Sequence, residues 1–340
     1  MKISTELVYL FFIALIISCS SSERTTQNIQ LYDGYTSIFP NIETSDELEL
    51  ISKSLVLINN LTFYNSYLYL DSTITDLDLK ARDVSDNAFM MSTINKTSSG
   101  TGTIIGINGN VVSLLTAAHI VSYSDTLITY YSQDGKLTDY IESIMIKKRQ
   151  NIYSNLPEGG RLKLIAYDDK TDIAIVGNSF NDINSIRFPI FNFKLGHAED
   201  LNWGDFVYVF GYPMHNKMVT RGIVSLPNKD NLDNFYVDAL INRGSSGGIV
   251  LALRGETSKL ELIGIVSSVP AEKVYVLSPN NPTRELNLLP GTIYEGEMTI
   301  EKLDGIRYGI GKIVSAEAIR TFLEENESKL ANQGHILNLD

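Results

Sequence analysis

Short apolar runs separated by polar turn residues dominate the chain from about Ser92 to Val266. The runs are Thr103–Ile107, Val111–Thr116, Leu127–Tyr131, Ile141–Ile146, Leu162–Tyr167, Ile173–Val176, Phe206–Phe210, Met218–Val224, Phe235–Ala239, Ile249–Leu253 and Leu260–Val266. Each has the length of a strand, and Asn108-Gly109-Asn110 between the first two is a strong hairpin signal. Because no helix-length amphipathic segment interrupts them, the pattern predicts an all-β barrel or sandwich and argues against alternating β-α units.

Helical signals lie on either side of this β-rich region. Ser315 precedes Ala316–Leu330, which predicts a terminal helix with a serine N-cap. Before Ser92, Asp46–Asn59 predicts a short helix and Leu61–Leu70 a strand, which we interpret as an elaboration that packs on the main domain. The predicted division is a signal peptide over 1–18, a flexible tether over 19–45, an N-terminal elaboration over 46–91, the main domain over 92–330 and a tail over 331–340.

The N-terminus has the pattern of an export signal. Leu7–Ile17 is an apolar run too short to span a bilayer as a mature helix, and it leads into Ser18-Cys19. A small residue before a cysteine at this place resembles the lipobox of bacterial lipoproteins, and Cys19 is the only cysteine in the chain. The resemblance implies lipid attachment at Cys19 and a membrane-anchored protein of the bacterial cell envelope, on the periplasmic or the surface side. An ordinary secretory signal or an uncleaved anchor is the alternative.

The charge balance narrows the range of partners. The 340 residues carry a net charge of −12, and a nucleic-acid partner needs clustered Lys and Arg, so none is predicted. No zinc-binding HExxH or Cys-His cluster is present, and neither a metal nor a cofactor is predicted. His197 and His215 are interpreted as loop residues and His335 as part of the tail.

Three residues in separate segments offer the chemistry of nucleophilic catalysis. Ser246, in Asn242–Gly248, is a weak nucleophile that needs a base, which His119 can provide. Asp172 can orient the imidazole and stabilise its protonated form. The glycines around Ser246 allow a tight turn whose N–H groups, at Gly244, Ser245 and Ser246, can bind a developing oxyanion.

These segments resemble the trypsin-like serine proteases of the HtrA/Deg branch. The chain order His, Asp, Ser is that of the trypsin-like fold. The matching segments are Gly100-Thr101-Gly102, Thr116-Ala117-Ala118-His119, Asp169–Ala174, Phe210-Gly211-Tyr212-Pro213, Val219–Ser225 and Asn242–Gly248. The resemblance implies two six-stranded antiparallel β-barrels and a serine endopeptidase that acts on a protein or peptide substrate. Trimers occur in this branch, although no residue here demands one.

The chain departs from that branch in several places. The separation of His119 and Asp172 is longer than usual, which predicts an enlarged hairpin or loop over 122–160. A second insertion covers 270–304, and no PDZ-like segment follows the terminal helix. We therefore expect regulation that differs from that of the branch.

Substrate preference is predicted from two segments. Leu240, six residues before Ser246, is expected at the base of the first specificity pocket, which favours aliphatic side chains. Val266, Ser267 and Ser268 are expected to pair with the extended substrate. A catalytically idle binding or chaperone module on the same scaffold is the alternative function.

Overall fold

Strands account for most of the regular structure. A computed structural model describes residues 34–39, 44–70, 72–81, 83–133, 136–156, 158–181, 189–227, 229, 233–255, 259–268, 271–279, 297–306 and 309–337, which belong to the compact unit Gly34–Asp340. The strands are β1 (Leu55–Leu68), β2 (Met90–Asn108), β3 (Val111–Thr116), β4 (Thr126–Gln133), β5 (Lys136–Ser154), β6 (Arg161–Asp168), β7 (Ile173–Ser179), β8 (Phe206–Gly211), β9 (Met218–Leu226), β10 (Asn234–Ala239), β11 (Ile249–Arg254), β12 (Lys259–Ser268), β13 (Ala271–Pro279), β14 (Met298–Ile306) and β15 (Gly311–Ser315). Cys19 and the predicted signal peptide lie outside the described residues.

The first barrel is an antiparallel ring in the order β1-β2-β3-β7-β6-β5, closed by pairing of β1 with β5. β4 extends this sheet at the outer edge of β5. Strands bury side chains alternately, and the β1 side chains of Val56 and Ile58 enter a core with Leu114 and Val176. Closure removes most of the unpaired edges that an open sheet would expose.

The second barrel is closed in the order β10-β15-β12-β11-β8-β9. Its interior contains Val207, Phe235, Val250 and Ile263, all of them buried. The two antiparallel barrels confirm the all-β class predicted from the apolar runs and the two-barrel architecture implied by the resemblance. A separate two-stranded sheet of β13 and β14 overlaps the two ends of the predicted insertion over 270–304.

The N-terminal elaboration differs from the prediction. The helix α1 covers only Ser45–Lys53, and the chain then enters β1, so the helix predicted over Asp46–Asn59 ends early. β1 pairs with β2 on one side and β5 on the other, which makes it an integral barrel strand although it lies before residue 92. Residues Leu55–Leu68 are buried at nearly alternate positions, as a strand requires. Pairing on both edges and this burial together outweigh the local helical preference.

The predicted enlargement over 122–160 is the β4–β5 hairpin. β5 and β2 each have 19 residues, so both extend well past the barrel, together with β1. Two short helices, α2 (Asp76–Ala81) and α3 (Ala118–Val121), complete this half of the molecule. The long β1, β2 and β5 strands therefore form a sheet that continues outward from the barrel wall.

The terminal helix α4 (Ala316–Asn332) confirms the prediction, since the Ser315 hydroxyl accepts a hydrogen bond from the Ala318 N–H. The segment between α4 and Leu337 packs against the first barrel. His335 is buried, and its Nδ1 lies 2.8 Å from the Ser113 hydroxyl of β3. Within the described residues, no helix is long and apolar enough to cross a membrane.

Candidate active site

His119 and Asp172 are joined by a dense set of hydrogen bonds. The His119 Nδ1 lies 2.9 Å from Asp172 Oδ2 and 3.0 Å from Oδ1. The His119 backbone N–H also donates to Asp172 Oδ1, at 2.9 Å, and the Ala118 N–H donates to the Asp172 carbonyl. α3 carries His119 and the turn before β7 carries Asp172, so both belong to the first barrel. These contacts fix the imidazole ring with Nδ1 toward the carboxylate.

The Asp172 carboxylate is held ionised. Burial alone would raise the pKa of Asp172, but hydrogen bonds from His119 and Ser267, with the charge of His119, outweigh burial and lower it. Ser267, on β12, donates its hydroxyl to Asp172 Oδ2 at 2.5 Å, so the second barrel also holds this carboxylate. Asp172 has φ of 62°, in the left-handed region where non-glycine residues are uncommon. Its neighbours stabilise a conformation that the isolated chain disfavours.

The glycines that follow Ser246 are required by close packing. Gly247 has φ of 76°, and a Cβ atom there would lie 2.3 Å from the Thr101 carbonyl oxygen. At Gly248 a Cβ atom would lie 2.0 Å from the carbonyl oxygen of Phe210. Neither position accepts a side chain without movement of backbone atoms, so the Gly-Gly pair lets the loop turn against both barrels.

Backbone hydrogen bonds anchor this loop to two strands. The Gly247 N–H donates to the Val266 carbonyl on β12, and the Val266 N–H donates to the Gly248 carbonyl, each at 2.7 Å. On the other strand, the Thr101 N–H of β2 donates to the Ser246 carbonyl at 2.8 Å. Ser246 is therefore positioned by its main chain, independently of its hydroxyl.

His119 and Ser246 line one cleft between the barrels, with a volume of about 1000 Å³. Its other walls come from β1, β2, β5, the turn Pro213–His215 and the segment before Ser246. The lining residues besides His119 and Ser246 are Asn59, Asn60, Leu61, Thr97, Ser98, Ser99, Tyr153, Met214, His215, Asn242, Arg243 and Gly244. Among the described residues, no hydrogen bond joins the Ser246 hydroxyl to the imidazole. The structure thus brings the predicted base and nucleophile into one cleft.

The candidate oxyanion donors differ in one respect from the prediction. The Ser245 N–H donates to the Asn242 carbonyl at 3.0 Å, so it is already occupied. The N–H groups of Gly244 and Ser246 donate no backbone hydrogen bond to any described residue. Gly244 has φ of 98°, and a Cβ atom there would lie 2.3 Å from the Tyr212 carbonyl oxygen. Two of the three predicted donors, Gly244 and Ser246, therefore remain available.

The predicted substrate-binding residues are placed differently from expectation. The Leu240 side chain is 71% exposed, so it does not form the base of an enclosed pocket. The Val266 backbone is engaged by the Ser246 loop, and the Ser267 hydroxyl is engaged by Asp172. Ser268 pairs with Lys312 of β15 at a bulge. Sequence spacing missed the role of Ser267 as a partner of Asp172, because that contact joins two barrels.

His197 is not an isolated loop residue. Its Nδ1 lies 3.8 Å from Glu199 Oε1, and ligand-type atoms of His197, Glu199 and Glu317 all lie within 4.8 Å of one another. Glu317 belongs to the first turn of α4, which the sequence separates widely from the other two residues. This proximity follows from packing of α4 on the segment that joins the barrels.

Comparison with known proteins agrees with this geometry. Residues 100–265 match the family model of the trypsin-like peptidase domain. The matched range is just under half of the chain, and it contains His119, Asp172 and Ser246.

The similar curated proteins are serine proteases of the HtrA and DegP type. The chain is 29% identical over 176 residues to the probable periplasmic serine endoprotease DegP-like of Pseudomonas fulva, covering 50% of this chain and 29% of that protein. It is 30% identical over 193 residues to the serine protease HTRA3 of Rattus norvegicus, covering 52% of this chain and 36% of that protein. The chain thus spans about a third of the length of these relatives.

A solved structure of an HtrA-type protease with a decapeptide is also similar. It has a TM-score of 0.45 and 17% identity, and the alignment covers 87% of this chain and 68% of that one.

Proposed function

We propose that the chain is a serine endopeptidase that cleaves protein or peptide substrates through an acyl-enzyme. The observation that carries the proposal is that His119, bonded through Nδ1 to Asp172, lines the same cleft as Ser246. A carboxylate-oriented imidazole beside a serine hydroxyl is the arrangement that makes the hydroxyl a nucleophile at neutral pH.

In the proposed reaction, the Ser246 hydroxyl attacks the scissile carbonyl carbon and its proton passes to His119 Nε2. The resulting oxyanion accepts hydrogen bonds from the N–H groups of Gly244 and Ser246. His119 then gives its proton to the leaving amine, which leaves an ester on Ser246. Water, deprotonated by His119, attacks this ester and releases the second product. Asp172 stays ionised throughout and stabilises the imidazolium.

The hydrogen bond between His119 and Ser246 is proposed to form in the substrate complex. Catalytic hydrogen bonds commonly tighten only when substrate excludes water from the cleft. The His119 side chain is 48% exposed, and a bound peptide would cover it. Desolvation would then strengthen the hydrogen bonds that His119 makes with Asp172 and with the Ser246 hydroxyl.

Fluorophosphonate labelling tests the proposal directly. The wild-type protein should be labelled, and Ser246→Ala should lose the label. The matched control is Ser245→Ala, which removes the neighbouring buried hydroxyl and should keep the label. Absence of label on the wild type would favour the idle binding module instead.

We further propose that the protein is exported to the bacterial cell envelope and carries a lipid on Cys19. The lipobox-like sequence supports this, and a similar protein is described as periplasmic. Cys19→Ser should release the protein from the membrane fraction. Unchanged partition between membrane and soluble fractions would contradict the lipid anchor.

A further inference from the structure

Within the described residues, one long edge of β2 has no strand partner where β2 leaves the active-site cleft. β2 pairs with β1 continuously from Met90 to Thr103, but with β3 only from Thr103 to Asn108. From Met90 to Gly102, the second edge of β2 meets no strand in the described part of the chain. An unpaired edge of this length presents a row of backbone donors and acceptors.

The orientation of this edge follows from contacts at its inner end. The Thr101 N–H points away from β1, because it donates to the Ser246 carbonyl. Pairing of β1 with β2 contains no bulge, so every second residue outward has its N–H and C=O on the same edge. These residues are Ser99, Thr97, Asn95, Thr93 and Met91. None of their N–H groups donates a backbone hydrogen bond to a described residue, and the row is about 27 Å long.

Among the residues that the structure describes, this edge lacks the usual features that prevent strand addition. Natural proteins protect long edges with charges, prolines, bulges or a covering element. The segment Met90–Ser99 has one charged residue, Lys96, and no proline. Exposed apolar side chains lie at its outer end, with Met91 64% exposed and Met90 52% exposed. This edge is therefore suited to receive an added strand.

The inner end of the edge belongs to the candidate active site. Thr97, Ser98 and Ser99 line the cleft with His119 and Ser246, whereas no residue of β12 lines it. The Ser246 loop is bonded to β12 through Gly247 and to β2 through the Ser246 carbonyl. Because β2 lines the cleft beside Ser246, an extended substrate segment that leaves the cleft on this side would run along the β2 edge.

We propose that the free edge of β2 binds the leaving-group side of the substrate by strand addition. This inference rests on the proposed endopeptidase function. The ligand is an extended polypeptide segment of about eight to ten residues beyond the scissile bond, recognised mainly through its backbone. Apolar side chains far from the cleaved bond add contacts with Met90 and Met91. The site thus selects unfolded or extended chains by length and conformation more than by sequence.

Peptide length and a backbone variant test the edge. Two peptides share the same acyl side and scissile bond, with either two or twelve residues on the leaving-group side. Wild-type kcat/KM should be about tenfold or more higher for the long peptide, because its additional residues form further backbone hydrogen bonds with the edge. Thr93→Pro removes one edge N–H without breaking a bond to β1, and it should lose most of this advantage. Thr93→Ala keeps the N–H and should behave as wild type, and all three proteins should cleave the short peptide equally.

Equal cleavage of the long and short peptides by the wild type would overturn the proposal. So would retention of the advantage in a folded Thr93→Pro protein. If that variant does not fold, N-methylation of alternate residues of the long peptide replaces it. Methylation in one register should then abolish the advantage, and methylation in the other should not.

A binding measurement distinguishes failure of the proposed β2 binding site from failure of the proposed peptidase activity. Ser246→Ala is mixed with the long peptide, and hydrogen exchange is measured at the backbone amides of Met91, Thr93 and Asn95. Slowed exchange at these amides supports the edge even if the wild type hydrolyses no peptide. Unchanged exchange at a saturating peptide concentration overturns it. Protection that depends on protein concentration and not on peptide would show that a second copy of the chain occupies the edge, which also overturns it.

Discussion

The two halves of the candidate site are held by different kinds of contact. The His119–Asp172 pair depends on side chains, with Asp172 receiving hydrogen bonds from His119 and from Ser267. Ser246 depends on its backbone, through the close approach of Gly247 to the Thr101 carbonyl and through the hydrogen bond from the Thr101 N–H. We therefore expect the His119–Asp172 pair to be sensitive to changes of chemical group and the Ser246 loop to be sensitive to added volume.

The largest effect is expected from Asp172→Asn. Asn tolerates the left-handed backbone at this position, so the fold should remain, but the amide no longer stabilises an imidazolium. We expect kcat to fall about 10⁴-fold, measured with a peptide substrate. Asp168→Asn is the control, because Asp168 bonds the Thr171 hydroxyl in the preceding turn and should leave kcat unchanged. A loss below tenfold would contradict the role of Asp172.

The next effect, on stability, concerns the Ser246 loop. Gly247→Ala should lower the free energy of unfolding by about 2–4 kcal/mol, from left-handed strain plus overpacking. Denaturant unfolding measures it. Gly109→Ala is the matched control, since φ there is 54° but no atom lies within 4 Å of the added Cβ. The control should cost only about 1 kcal/mol. Equal losses in the two variants would show that packing around Gly247 is loose.

A smaller effect is expected where the second barrel contacts Asp172. Ser267→Ala removes the hydroxyl that helps to lower the pKa of Asp172. A hydrogen bond to a charged group contributes about 1.5–3 kcal/mol, and we expect kcat to fall about tenfold or more. Ser245→Ala, which changes a buried serine with no contact to Asp172 among the described hydrogen bonds, should not reproduce the loss. An unchanged kcat in Ser267→Ala would show that contacts within the first barrel are enough to hold the His119–Asp172 pair.

The smallest effect concerns pH and the segment after α4. Burial lowers the pKa of His335 from its ordinary value of 6.5, so the unfolded chain binds a proton at higher pH than the folded chain. The free energy of unfolding should therefore fall as pH decreases below about 6.5. His335→Gln should show a shallower dependence in urea titrations. Ser113→Ala leaves His335 in place and should keep the slope, whereas an identical slope in His335→Gln would contradict this coupling.

The sequence predicted much of the fold because strand signals are local. Alternating apolar runs and Asn108-Gly109-Asn110 indicated β2 and β3, and Ser315 indicated the start of α4. The α1–β1 region was mistaken because a strand paired on both edges gains its stability from partners distant in sequence. The resemblance to trypsin-like proteases implied that Leu240 lies at a pocket base, but position in the sequence carries no information about exposure.

The candidate catalytic residue types and their order could be predicted from the chain alone, since His119, Asp172 and Ser246 stand in segments whose local composition is distinctive. Which groups contact them depends on the folded arrangement of the two barrels. This arrangement placed Ser267 against Asp172 and bonded the Ser245 N–H to the Asn242 carbonyl, and among the described residues it left the β2 edge beside the cleft without a strand partner. Hydrogen bonds and close packing between the barrels require atoms to be positioned to within a few tenths of an ångström. Closure of the two barrels sets these positions, and no short stretch of the chain can do so.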